Sequence, residues 1–323
     1  MNTGSKSNNR VILLFGPTAV GKTELITEIF ARECEVISAD AMQVYRGLDI
    51  GTAKPGIEER RRIPHHLIDI CDPSEGFDVG SFVAAADEKA GEILSRGKTP
   101  IVSGGTAFYL VRFLYGLPRS PRSDPEVRAQ VEERLRRDGP EALYGELSEL
   151  DPATACRVHP NDTYRVTRAL EVYHATGRPL SSYEVPGTPR KKWDCLVIGL
   201  HRERGELYGR IDERVERMFR EGLVEEVRGL VEQGYTEEDP GMKGIGYREF
   251  FRMRRAGEHT LEDVKEEIQR NSRRYAKRQS TFFRRIAQAH FIRPGEKDRI
   301  RELTGHFLER GLRPTGDNEL HRK

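Results

Sequence analysis

Residues 11–23 read VILLF-GPTAVGKT, and the reading of the fold starts from them. An apolar run at 11–15 leads into Gly16, Pro17, Thr18, Ala19, Val20, Gly21, Lys22 and Thr23, a match to the G-x-x-x-x-G-K-[ST] phosphate loop. Gly16 and Gly21 let the backbone fold back so that successive amides point into one concavity. Lys22 adds a positive charge, and Thr23 offers a hydroxyl to Mg²⁺ at a helix N-terminus that already favours anions. The flanks agree: a buried strand comes before the loop, and TELITEIFARE follows it as a helix. The pattern specifies a polyphosphate ligand and leaves open which one, and what is done with it.

Outward from the loop, the first third alternates between strand candidates at 11–15, 36–38 and 100–103 and helix candidates at 22–33, 81–96 and 106–115. Such alternation predicts an α/β fold, a doubly wound parallel sheet of the P-loop kind with ligands at the C-terminal ends of its strands. The stretch GLPRSPRSD at 116–124 marks a boundary, and from 124 to about 180 the patterning is helical throughout. Asp124, Asp151 and Asn161 are N-cap candidates there, with Gly177 a C-cap candidate. A strand at 193–200 returns to the sheet, and helices are expected at 203–221, 223–233, 244–256 and 260–289. The expected organisation is a P-loop core at 1–120, an inserted all-helical subdomain at 121–190, a return to the core at 191–294, and a weakly ordered polar tail at 295–323.

Charged residues make up 33% of the chain and the mean hydropathy is −0.66, so membrane residence is not expected. No apolar run approaches the roughly 20 residues that span a bilayer, and the polar start MNTGSKSNNR carries no export signal. Cys34, Cys71, Cys156 and Cys195 form no C-x-x-C pair and read as reduced thiols of a cytoplasmic protein. A net charge of +2 does not by itself suggest nucleic acid, but its distribution does. Residues 270–285 carry seven basic side chains and no acid, with Tyr275, Phe282 and Phe283 interleaved, which predicts a phosphate-binding stripe backed by aromatics. His65, His66 and His159 read as structural, and Phe108 and Tyr109 as core.

A P-loop kinase normally carries an Asp at the end of a second strand to help hold Mg²⁺. The strand at 100–103 ends instead in Ser103-Gly104-Gly105-Thr106, which allows close backbone approach and sets a hydroxyl at a helix start. The strand ending VISAD supplies Asp40, a candidate Mg²⁺ ligand or general base.

Together GPTAVGKT, ISADAMQVYRGLDIGTAKP, PHHLIDICDP, SGGTAFY, DPEVR, LDPATACRVHPNDTYRVTRALEVYHATGRPLS, GRIDERVERMFREGLVEEV, KGIGYREF and RYAKRQSTFFRR resemble the tRNA dimethylallyltransferases, also called tRNA isopentenyltransferases, from about residue 11 to about 292. The resemblance implies transfer of a dimethylallyl group from its diphosphate to the exocyclic N6 amine of the adenosine 3′ of a tRNA anticodon. It implies that Asp40 handles the amine proton, that Thr106 bonds the leaving group's bridging oxygen, and that one or both of Arg210 and Arg214 clamp the diphosphate. It further implies tRNA contacts by Asp40, Ala41, Met42, Gln43, Thr106, Arg128, Tyr164, Arg165, Arg168, Lys243, Gly244, Gly246, Tyr247, Arg248, Lys277, Arg278, Gln279 and Arg284. The partners expected are tRNA and dimethylallyl diphosphate with Mg²⁺ as cofactor and no evident protein partner, in a cytoplasmic monomer. Ala41, Ala107, Phe108 and Phe282 depart from the family's usual residues. The alternatives are prenylation of free AMP, ADP or ATP, which needs neither the helical insert nor the basic stripe, and a P-loop small-molecule kinase, for which Asp40 is the one metal-holding acid in view.

Overall fold

The structure, a computed structural model, describes residues 9–30, 33–121, 124–257 and 260–309. The apolar run ahead of the phosphate loop is strand β1 (Arg10–Phe15), buried at every position after Arg10. Burial on both faces explains why the run does not alternate with polar residues. It lies inside a six-stranded parallel sheet with β2 (Cys34–Ser38), β3 (His65–His66), β4 (Thr99–Gly104), β5 (Asp194–Leu200) and β6 (His290–Ile292), in the order β3-β2-β4-β1-β5-β6. The helices are α1 (Lys22–Phe30), α2 (Ile57–Arg62), α3 (Val79–Ser95), α4 (Ala107–Tyr115), α5 (Pro125–Leu150), α6 (Pro152–Ala155), α7 (Thr163–Thr176), α8 (Arg204–Arg220), α9 (Leu223–Glu232), α10 (Arg248–Ala256), α11 (Leu261–Phe283) and α12 (Lys297–Glu309).

The chain divides into two units. One holds the sheet and comprises the described residues up to Leu114 and from Arg190 onward; the other spans Tyr115–Pro189. In the first, one core packs Ile12, Leu14, Ile101 and Ile198 of the sheet against Leu25 and Ile211. A second core gathers Val44, Leu48, Val215, Val227 and Tyr247. The helical unit has its own core of Val131, Leu143, Leu147, Val166 and Leu170. There Asp151 is buried and accepts hydrogen bonds from Thr154 N (3.0 Å), Thr154 Oγ1 (2.7 Å) and Ser181 N (2.9 Å). Helix α5 is interrupted at Gly139 (φ 81°), just ahead of Pro140.

Several expectations are corrected. The tail at 295–323 was expected to be polar and weakly ordered, yet 297–309 form α12, which buries Ile300, Thr304 and Phe307 and packs on the core beside α1. The stripe at i, i+4 and i+7 was readable but outweighed by charged neighbours; residues 310–323 lie outside the described ones. The cap of α7 is Asp162, accepting from Arg165 N at 3.2 Å, and not Asn161. The helix expected from 244 starts at Arg248, because Gly244 is extended and Gly246 has a φ of 100°. The helix expected to run to 289 stops at Phe283, leaving Arg284 as its C-cap.

Phe307→Ala is expected to cost about 3 kcal/mol of stability, the usual scale for emptying a buried aromatic site. A shift in urea midpoint of that size would establish that α12 belongs to the fold; an unchanged midpoint would show that it does not.

Candidate active site

Parallel strands that end together bring their following loops together. Four such loops converge here: the phosphate loop after β1, Asp40 after β2, Gly105 and Thr106 after β4, and Arg202 after β5. The first three surround a cavity of about 620 Å³ lined by Lys22, Thr23, Asp40, Gly105, Arg214 and Tyr275, among others. The ends of β2 and β4 touch so closely that a Cβ on Gly104 would fall 2.0 Å from the Ala39 carbonyl oxygen, so only glycine fits. Ala39 N donates to Ser103 O (2.8 Å), Thr106 N to Ala39 O (3.1 Å), and Ala41 N to Thr106 Oγ1 (2.9 Å). These bonds fix Asp40 and Thr106 with respect to each other. Asp40 Oδ1 accepts from Met42 N (2.9 Å) and Gln43 N (3.4 Å), while its Oδ2 has no hydrogen-bond partner among the described residues.

Cations crowd the phosphate loop, and most of their bonds go to neutral oxygens. Lys22 Nζ donates to Gly16 O (2.9 Å) and Pro17 O (3.1 Å). Enclosure lowers its pKa to about 8, with Asp40 pulling it up and Arg214 pushing it further down. From α8, Arg214 donates to Thr18 Oγ1 (3.0 Å) and Thr52 O (3.0 Å). Burial lowers its pKa, opposed by Asp40, but a guanidinium stays charged. One turn earlier, Arg210 donates to Ala19 O (2.9 Å) and is partly neutralised by Glu24 (2.9 Å). Arg214 is therefore the better placed of the two to take a diphosphate. Arg202, which sequence reasoning missed, donates to Val20 O (2.8 Å) and pairs with Glu206. Its signal was a basic residue just beyond the end of a core strand. Thr23 lines the cavity and its hydroxyl makes no hydrogen bond among the described residues, so an oxygen donor is available where Mg²⁺ was expected.

The expected tRNA contacts divide. Gln279 is buried: its Oε1 accepts from Thr18 N (2.9 Å) and its Nε2 donates to Gly105 O (2.7 Å). Both ends of its amide tie the phosphate loop to the β4 loop, and the side chain lines the cavity. Tyr247 is wholly buried, with its hydroxyl on Glu226 (2.6 Å). Gly244 lies under the Met42 side chain, where a Cβ would come within 2.4 Å of the methyl group. Gln43 spans Ser38 Oγ (3.1 Å) and the carbonyls of Thr52 and Ala53 (3.4 Å each). Lys243 and Arg248 stay near the surface beside Glu238 and Glu249. In the helical unit, Tyr164 is 73% exposed, Arg128 pairs with Glu132, Arg165 with Asp162, and Arg168 with Glu171.

On α11 the stripe is narrower than its composition suggested. Arg270 pairs with Glu267 and Arg273 with Asp212. Lys277, Arg278, Arg284 and Arg285 are exposed with no acidic partner among the described residues. Arg274, Lys277, Arg278, Thr281, Phe282 and Arg285 line a second hollow of about 400 Å³. Phe283 turns inward and stacks on Phe15 at 4.5 Å. Tyr275, expected only as backing for the stripe, lines the main cavity close to Thr106 and Gln279. Burial and the nearby Asp40 push its phenol up to about 12. Phe108, expected in the core, is 46% exposed, with the Arg112 guanidinium 5.0 Å from its ring centroid.

A phosphate loop at the head of a parallel sheet, ringed by cations and facing one half-engaged carboxylate, defines a P-loop α/β protein with a polyphosphate site. The chain belongs to the IPP transferase family, which it matches over residues 43–286. It is 47% identical over 312 residues to a tRNA dimethylallyltransferase of Geobacter sulfurreducens, an alignment covering 95% of this chain and 100% of that protein. Among solved structures it resembles a tRNA isopentenylpyrophosphate transferase of Bacillus halodurans, with TM-score 0.69, 38% identity, and coverage of 94% of this chain and 98% of that one. It also resembles a eukaryotic dimethylallyltransferase acting on tRNA, with TM-score 0.80, 28% identity, and coverage of 96% and 82%.

The Lys22 pKa sets a pH dependence. Below about 8 the ammonium is charged and meets the anion directly; above it, binding must take up a proton. The Kd for inorganic diphosphate is expected to climb toward about tenfold per pH unit above that point, and Lys22→Met to abolish the climb. A wild-type profile that stays flat from pH 7 to 10 would contradict the assignment.

Proposed function

We propose that this chain transfers the dimethylallyl group of dimethylallyl diphosphate to the N6 amine of the adenosine 3′ of a tRNA anticodon. The observation that carries the reading is Asp40: a carboxylate with one oxygen held by backbone amides and the other unengaged, opposite a cation-lined phosphate loop. A kinase would need that acid for its metal. A prenyl transfer needs it for a proton.

In the reaction, the N6 nitrogen attacks the allylic carbon bonded to the diphosphate oxygen. The new C–N bond forms as the C–O bond breaks, and the N6 proton passes to Asp40 Oδ2. Negative charge gathers on the departing diphosphate, where Lys22, Arg214 and the loop amides meet it. Thr106 donates its hydroxyl proton toward the bridging oxygen while its Oγ1 still accepts from Ala41 N, which orients that hydroxyl. The Thr23 hydroxyl would hold Mg²⁺, which when bound would supply further neutralisation of the leaving group. Tyr275 and Gln279 close the cavity wall beside these groups.

The acceptor base has to leave its stack to reach a site at the strand ends, so a flipped adenosine is expected. The cations at the end of α11 and just beyond it that lack an acidic partner among the described residues, Arg274, Lys277, Arg278, Arg284 and Arg285, are assigned to the tRNA backbone, and Tyr164 and Arg165 of the helical unit to further contact. Such a substrate places the protein in the cytoplasm. Free adenylate, the alternative acceptor, leaves the α11 cations without a role.

Asp40→Asn keeps the shape and both amide bonds but removes the base. Turnover is expected to fall about a hundredfold or more, with tRNA affinity unchanged; single-turnover rates near wild type would remove Asp40 from the chemistry. Lys277→Glu combined with Arg278→Glu is expected to weaken tRNA binding and lower the slope of log K against log salt by about two units. An unaltered slope in filter-binding titrations would leave α11 as an ordinary solvated face.

A further inference from the structure

Glu226, near the start of α9, takes part in no ion pair among the described residues, and the reaction makes no direct use of it. Its carboxylate accepts four hydrogen bonds. Asp49 N (3.0 Å) and Ile50 N (2.7 Å) reach Oε2; Gly51 N (3.1 Å) and the Tyr247 hydroxyl (2.6 Å) reach Oε1. Three successive amides aimed at one anion form a backbone nest of the kind that elsewhere binds phosphate. Here a side chain of the protein fills it and so fixes the course of the 49–53 loop.

That loop has one evident consequence for the site. The next carbonyl, Thr52 O, accepts from Arg214 Nη2 at 3.0 Å, while Arg214 Nη1 lies on Thr18 of the phosphate loop. The Thr52 hydroxyl turns back to Leu48 O (2.6 Å), and Ala53 takes a left-handed φ of 45°. Arg210 has a carboxylate to hold it; Arg214 has none within ion-pair distance among the described residues. An acid beside Arg214 would orient it but cancel the charge a diphosphate needs. A neutral carbonyl orients it without that loss, provided the carbonyl itself is held. The negative charge that does the holding stands one step back, at Glu226.

We propose that Glu226, seated by Tyr247, is a positioning residue for the diphosphate site: it shapes the 49–53 loop so that Thr52 O presents Arg214 to the leaving group. The assignment rests on the diphosphate reading above. All four partners of the carboxylate are donors, so Glu226→Gln sets an amide N–H₂ against at least one N–H or O–H.

The test is the Kd of inorganic diphosphate with Mg²⁺, by calorimetry, for the wild type, Glu226→Gln, Arg214→Ala and the double variant. Glu226→Gln is expected to weaken binding about tenfold, the scale of one lost charge-assisted hydrogen bond, and to add almost nothing in the Arg214→Ala background. The KM for dimethylallyl diphosphate should rise in step while that for tRNA stays put. An unchanged Kd, or the same loss with and without Arg214, overturns the proposal. Should Glu226→Gln fail to fold in a thermal melt, Tyr247→Phe keeps the carboxylate and its three amides; a smaller weakening that vanishes in Arg214→Ala supports the proposal, and none overturns it. A wild type with no diphosphate affinity would instead sink the functional reading itself.

Discussion

Lys22 lies inside its own loop on two backbone carbonyls, Gly16 O and Pro17 O, with no carboxylate in contact. The rest of the site depends on that arrangement. An anion receptor has to keep its cations charged and aimed while leaving them unneutralised, and neutral oxygens are the means available to a protein. Arg214 repeats the device on Thr18 Oγ1 and Thr52 O, and Arg210 and Arg202 reach Ala19 O and Val20 O. Only the outer two also meet acids, Glu24 and Glu206. Acids pair with the cations at the edge of the pocket, while in its middle Asp40 acts on Lys22 and Arg214 through space without an ion-pair contact among the described residues.

Burial lowers the pKa of Lys22, with Arg214 adding to the effect, and the surroundings have to resist collapse onto it. The resistance comes from close packing and hydrogen-bonded ties between loops. The touching ends of β2 and β4, with glycine required at Gly104, hold Asp40 at a set place instead of letting it swing onto the lysine. Gln279 bridges Thr18 N and Gly105 O, its two amide ends matched to one donor and one acceptor. Asp40 then serves two ends: it raises the pKa of Lys22 through space and keeps one oxygen unengaged for a proton.

Much of this was readable from the chain, for definite reasons. Strand, loop and helix at 11–30 are local: burial, glycine spacing and the helix start lie within twenty residues of one another. Asp40 and Thr106 were found because parallel strands put their C-terminal ends on one edge, so position along a strand predicts position in the site. The partners that hold these residues were not legible. Gln279 lies far along the chain from Thr18, and nothing in periodicity tells that it is buried and bridges two loops. The burial of Tyr247 was hidden for the same reason, and Glu226 was not singled out at all: KGIGYR and GLVEEV look like surface segments until tertiary packing brings them together. Strands β3 and β6 have too few residues to alternate, and α12 was passed over because its charges masked a four-residue apolar stripe.

One measurement bears most directly on the account. Dimethylallyl diphosphate labelled in its carbon chain is incubated with the protein and Mg²⁺, with tRNA in one tube and AMP in another, and the products are digested to nucleosides and separated. The account predicts label on the N6 nitrogen of one tRNA adenosine, none on AMP, and diphosphate released in equal amount. Label on AMP, or ATP hydrolysed with no label transferred, would contradict it.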